Sequence, residues 1–82
     1  MYTLVASPAF TRDYRKLPDE VRRQVDRQIQ RLRDDPHHPS LRTHKRRGEG
    51  DLWQACITKN YRLYFSMAGD VLLLESVGPH DK

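Results

Sequence analysis

The stretch DLWQACITKNYRLYFSMAGDVLLLESV, residues 51–77, decides the fold. It divides into three apolar runs: Leu52 to Ile57, Tyr61 to Met67 and Val71 to Val77. They are separated by Thr58-Lys59-Asn60 and Ala68-Gly69-Asp70, whose Asn and Gly supply the positive φ of tight hairpins. Each run has strand length and is rich in aromatic and branched residues, so the spacing predicts an antiparallel meander. Alternation sorts the side chains onto two faces. Trp53, Ala55 and Ile57 share one side with Tyr61, Leu63, Phe65 and Met67, while Gln54, Cys56, Arg62, Tyr64 and Ser66 take the other. Val71 to Leu74 is apolar on both sides and reads as a central strand.

Working outward toward the N-terminus, Tyr2 to Ala6 reads as a short strand that joins an edge of the sheet. Ser7-Pro8 then starts a helix over 8–17, with serine capping and proline at the first helical position. Phe10, Tyr14 and Leu17 form its apolar stripe, and Pro18 ends it. A second helix begins at Pro18-Asp19-Glu20, acidic at the positive end of the dipole. Its stripe is Val21, Val25, Ile29 and Leu32, and Asp34-Asp35-Pro36 closes it. Residues 36–50 form a long polar loop anchored to the core by Leu41, and loops of that length in small domains tend to be functional. The expected fold is α+β, order β-α-α-β-β-β: two antiparallel N-terminal helices on one face of a mainly antiparallel four-stranded sheet. The 82 residues make a single domain, 1–82.

Fifteen Lys+Arg against eleven Asp+Glu give +4, unevenly spread. Residues 1–47 hold twelve basic and six acidic side chains, +6, and the remainder three and five, −2. Most of the basic residues are arginine, whose fork matches phosphate, and the asymmetry favours a polyanionic partner. Cys56, the single cysteine, excludes a disulfide framework and fits a reducing cytoplasm. No stretch is long and apolar enough to span a bilayer, and the first ten residues lack a signal-peptide pattern, so the expectation is a cytoplasmic protein away from membranes. His37, His38 and His44 with Asp34 and Asp35 match no zinc spacing, so no metal is expected. No P-loop, Gly-rich dinucleotide turn or Ser-His-Asp pattern is present, and no cofactor is expected.

Helices covering the apolar side leave Arg62 and Tyr64 on the open side, with Tyr64 as the base-stacking candidate. Lys45, Arg46 and Arg47 enter the sheet beside them, and Gly78-Pro79-His80 borders the same face.

The sequence resembles the RelE/ParE superfamily of toxins from type II toxin–antitoxin systems. The matching pieces, in order, are FTRDYRKLP, RLRDDP, HPSLRTHKRRG, DLWQACITKNYRLYF and DVLLLESVGPHD. Tryptophan followed after seven residues by Tyr-Arg is the most specific of them. The resemblance implies a concave basic face on the sheet. For the RelE branch, which is favoured, it implies ribosome-dependent mRNA cleavage without metal, the 2′-hydroxyl attacking the adjacent phosphodiester. For the ParE branch it implies inhibition of DNA gyrase instead. In both a cognate antitoxin binds the toxin, in a toxin–antitoxin hetero-oligomer, and a third reading is a partner-binding module with weakened or lost catalysis. By this resemblance Arg62 stabilises charge on the scissile phosphate and His80 is the general acid. Lys45, Arg46 and Arg47 grip RNA, one of them (Lys45 is taken) lowering the pKa of the attacking hydroxyl, and Arg42 joins them. The chain departs from many RNA-cleaving members at Cys56, where they carry a second arginine, and it lacks their tyrosine beyond the His80 position.

Overall fold

A computed structural model describes residues 1–46, 48 and 50–80. Strand β1 spans Thr3–Ala6, helix α1 Pro8–Arg15, helix α2 Asp19–Asp34, a 3-10 turn Pro39–Leu41, β2 His44–Lys45, β3 Leu52–Cys56, β4 Tyr61–Ala68 and β5 Val71–Pro79. The sheet has five strands in the order β1-β5-β4-β3-β2. Strands β2 to β5 pair antiparallel, and β1 lies parallel to β5 from Thr3↔Val71 to Ala6↔Leu74. The fold is α+β, as the patterning predicts, with a mixed five-stranded sheet in place of a four-stranded one. The extra strand is two residues of the polar loop, recruited by the outer edge of β3: His44 pairs with Gln54 and Lys45 with Trp53. Two residues are too few for any hydrophobic period to show.

Local chemistry sets the boundaries. Ser7 Oγ accepts the Phe10 amide at 3.0 Å with Pro8 at the first helical position. Such a cap is worth about 1 kcal/mol. The same hydroxyl donates to the Glu75 carbonyl at 2.8 Å, tying the start of α1 to β5. Helix α1 stops at Arg15, two residues before the expected end, because Lys16 and Leu17 donate to Asp13 and Tyr14 carbonyls in a tighter turn before Pro18. Helix α2 has no side-chain cap at Pro18, but Asp19 and Glu20 stand in its first turn and Asp19 is ion-paired with Arg22. Tyr14 on α1 donates from its hydroxyl to Asp26 on α2 at 2.7 Å, which holds the helix pair together.

Both helices pack on one side of the sheet. Phe10, Leu17, Val25, Leu32 and Leu41 meet Ala55, Leu63, Phe65, Leu72, Leu74 and Val77, all buried. Burying a Leu or Phe side chain contributes roughly 1.5–3 kcal/mol. Leu41 is the loop anchor the sequence predicts, and Pro36 is buried as well. One polar side chain reaches into this layer. Gln28, 5 % exposed, donates to the Cys56 carbonyl at 2.9 Å and to the Ser40 carbonyl at 3.4 Å, and accepts from Arg31 at 2.9 Å. It joins α2, the 3-10 turn and β3 in one knot.

Between Tyr64/Phe65 and their partners the β4–β5 register shifts, because Tyr64 pairs with Ser76 and Phe65 with Leu74. Glu75 is the extra residue, a β-bulge. Its carbonyl receives the Ser7 hydroxyl and its carboxylate the Ser66 hydroxyl at 2.9 Å. The bulge returns Val77 to the buried face that Leu72 and Leu74 occupy.

Candidate nucleic-acid interface

Paired residues on neighbouring strands share a face, so the register lays out the helix-free side as rows. One row runs Cys56, Arg62, Gly78; the next runs His44, Gln54, Tyr64, Ser76. Adjacent rows lie roughly 7 Å apart along the strands. The sheet thus sets Arg62 and Tyr64 side by side on the open face.

Arg62 is half-buried, and its guanidinium turns back over the β3–β4 hairpin. Nη1 donates to the carbonyls of Thr58 at 2.7 Å, Tyr61 at 3.1 Å and Lys59 at 3.2 Å. All three bonds use one nitrogen of a group with five donors. The hairpin fixes the fork in place, which is the condition for a preorganised electrostatic site. Arg62 lines a groove of about 630 Å³ with Pro39, Ser40, Arg42, Cys56, Thr58 and Lys59. Arg42 arrives there through a left-handed backbone, φ 49°, directly after the 3-10 turn. Lys59 adds a third cation from the hairpin itself.

Beside this groove, Arg46 reaches over the sheet. Its Nη1 donates to Gln54 Oε1 at 2.9 Å, and its guanidinium carbon stands 5.1 Å from the Tyr64 ring centroid. That is within cation–π range. His44, Lys45, Arg46 and Gln54 line a second, smaller groove of about 340 Å³. Lys45 contributes its place in β2, but the register pairs it with Trp53, on the helix side, and its ammonium stands 3.8 Å from Asp51. The pleat separates Lys45 from Arg46, although they are adjacent in sequence. Arg47 lies outside the described residues, as does Glu49.

His80 follows Pro79 at the end of β5, and its amide donates to the Asn60 carbonyl at 2.7 Å. The backbone therefore places it at the hairpin end of the sheet, the end that carries Arg62. The other histidines have separate local partners. His37 meets the edge of Trp53, His38 Nδ1 accepts the Ser40 amide at 3.2 Å, and His44 Nδ1 lies 3.2 Å from the Arg42 carbonyl. Among the described residues no three His, Cys, Asp or Glu side chains come together as a metal site.

The structure thus brings together Arg62 with Arg42, and Arg46 with Tyr64, in adjacent rows. It turns Lys45 away. Sequence reasoning missed three residues that shape this face: Gln54, Glu75 and Gln28. For Glu75 a signal exists, since the apolar Leu72, Leu74 and Val77 change spacing from two to three across it. For Gln28 the signal is its place between Val25 and Leu32 on the apolar stripe. Nothing in the pattern marks Gln54 as the residue that holds Arg46.

The fold is similar, over essentially the whole chain, to that of RelE-type toxins of known structure. The isolated RelE toxin of E. coli superimposes with a TM-score of 0.78 at 24 % identity, over 100 % of this chain and 87 % of that one. RelE within the intact E. coli RelBE toxin–antitoxin complex gives 0.79 at 24 % identity, covering 100 % of both chains. A YoeB/ParE toxin from Agrobacterium tumefaciens gives 0.79 at 18 % identity, over 96 % of this chain and 99 % of that one. No family model and no curated protein sequence matches the chain. Among the described residues no helix is long and apolar enough to cross a membrane.

Proposed function

We propose that this chain is the toxin of a toxin–antitoxin pair in the RelE/ParE superfamily, an endoribonuclease that cuts mRNA on the ribosome. The observation that carries the reading is the groove in which Arg62, Arg42 and Lys59 converge, with Arg62 held by three hairpin carbonyls. The shared fold of the RelE neighbours supports it, and their occurrence in complexes with antitoxins supports a protein partner for this chain.

In this mechanism the 2′-oxygen attacks the adjacent phosphorus, its proton passes to water, and the 5′-oxygen leaves. A cyclic phosphate remains. Arg62 faces the charge that builds on the phosphoryl oxygens, the kind of donor whose removal costs on the order of 10²–10³-fold in rate. His80 supplies the proton to the leaving oxygen, a task suited to imidazole near neutral pH. Arg42 and Arg46 hold the strand, joined by Arg47 of the same basic loop, and Arg46 favours the ionised form of the attacking hydroxyl; Lys45, paired with Trp53 on the helix side, takes no part. No metal or cofactor enters the scheme.

One observation favours a second reading. The position opposite Arg62 is Cys56, so this row carries one guanidinium where many RNA-cleaving relatives carry two. A non-nuclease toxin acting on DNA gyrase is the alternative. The test is mRNA cleavage in a purified translation reaction, beside a gyrase supercoiling assay. Wild type should cleave, Arg62→Ala should lose cleavage by at least about 10²-fold, and His80→Ala should fall chiefly in the step that protonates the leaving group. Cleavage equal in all three proteins removes the site assignment. Absent cleavage with gyrase inhibited establishes the alternative.

A further inference from the structure

The Arg46–Tyr64 pair has a geometry that phosphate gripping alone does not require. Phosphate binding by an arginine fork requires neither an aromatic ring beneath it nor a buried side-chain acceptor beside it. Arg46 instead is half-buried, lies over an aromatic ring at 5.1 Å, and has one nitrogen fixed at 2.9 Å by a side chain from the neighbouring strand. That side chain, Gln54, is 8 % exposed, one of two buried polar residues among those described, and stands directly opposite Tyr64 in the register. A planar cation thus lies over an aromatic ring on the open face, one row from Arg62. Planar cations and aromatic rings are the surfaces on which unpaired bases stack, and such stacking tolerates any base because each has a π-face.

We infer that the Arg46–Tyr64 pile is a nucleobase subsite for single-stranded RNA, and that Gln54 is the positioning residue that keeps Arg46 in it. The inference rests on the RNA reading proposed above and adds to it where a base sits and which uncharged residue holds the platform. The Arg62 backbone stands one row, about 7 Å, along the strand from Tyr64, with its guanidinium toward the hairpin end. A base stacked there fixes the sugar and phosphate next to it in the Arg62 groove. Gln54 touches neither base nor phosphate in this scheme. It acts through Arg46.

The test uses the full chain and a single-stranded RNA hexanucleotide carrying one 2-aminopurine, whose fluorescence falls when the base stacks. Wild type should bind and quench. Gln54→Met keeps the volume and removes the acceptor; it should weaken binding by about tenfold and abolish the quench, with an unchanged far-UV spectrum. Gln54→Glu restores an acceptor for Arg46 and should restore the quench, which a merely structural role for the glutamine would not predict. Arg62→Ala should weaken binding and leave the quench intact. Binding by wild type without quenching overturns the subsite while the RNA reading stands. A quench that survives Gln54→Met overturns the role of Gln54. Absence of RNA binding by wild type overturns the RNA reading and this inference with it.

Discussion

Replacing Gln28 by leucine tests whether the knot under the open face holds the domain together. The side chain is 5 % exposed, and its amide donates to the Cys56 carbonyl while its oxygen accepts from Arg31. Leucine of similar volume fills the space and gains some apolar burial, but it leaves the Cys56 carbonyl without that donor and Arg31 without that acceptor. A lost hydrogen bond contributes about 1 kcal/mol, and an unsatisfied buried group costs about 1–3 kcal/mol. Set against a gain of roughly 1 kcal/mol from the added methyl groups, the net loss is about 2 kcal/mol. With a urea m-value of roughly 1 kcal/mol/M for so small a domain, the unfolding midpoint should fall by about 2 M. Trp53, the single tryptophan, reports the transition by fluorescence. Gln28→Ala should fall further, because it adds a cavity to the same loss. A Gln28→Leu midpoint within about 0.5 M of wild type would refute the reasoning, since it would mean that the three bonds contribute nothing beyond what packing replaces.

Tyr14→Phe should cost about 0.5 kcal/mol at neutral pH, and the cost should depend on pH in a defined sense. Donation to Asp26, then burial, raises the Tyr14 pKa above its ordinary 10.0. The neutral phenol is the form the fold favours, so the contribution is complete below the unfolded pKa and declines as pH rises through the folded one. Denaturation of both proteins across that range checks it, and a gap that widens at high pH refutes it. The logarithm of the binding constant for single-stranded RNA should fall linearly with the logarithm of salt concentration. If Arg42, Lys59 and Arg62, which line one groove, each neutralise one phosphate, the slope is about −2, with roughly −0.7 per contact on single strands; Arg42→Ala should flatten it by one contact.

The order of elements was legible because each apolar run carries its own period. Leu41 stood out as the single apolar residue of a polar loop. Other features depend on tertiary context that no local window contains. Strand β2 exists because β3 presents an open edge to two residues that have no β-pattern of their own. The bulge at Glu75 exists where β1 ends and Ser7 donates to its carbonyl. The open placement of Arg62 and Tyr64 followed from alternation, whereas the direction of the Arg62 guanidinium, back onto Thr58 and Lys59, did not. Strict alternation also separates Lys45 from Arg46, a point hidden by reading residues 45–47 as one basic cluster.

The segment from Leu41 to β2 works as a ruler. Leu41 is seated in the core, Arg42 makes the left-handed step, and Thr43 donates to the Pro36 carbonyl at 2.6 Å, so the count of residues before His44 is set. Because side chains alternate along a strand, adding or deleting one residue in this span would invert the pattern beyond it. Lys45 would come onto the open side and Arg46 would leave Tyr64. Single-residue length variants of this segment should therefore exchange which cation serves the sheet while composition and net charge stay almost the same.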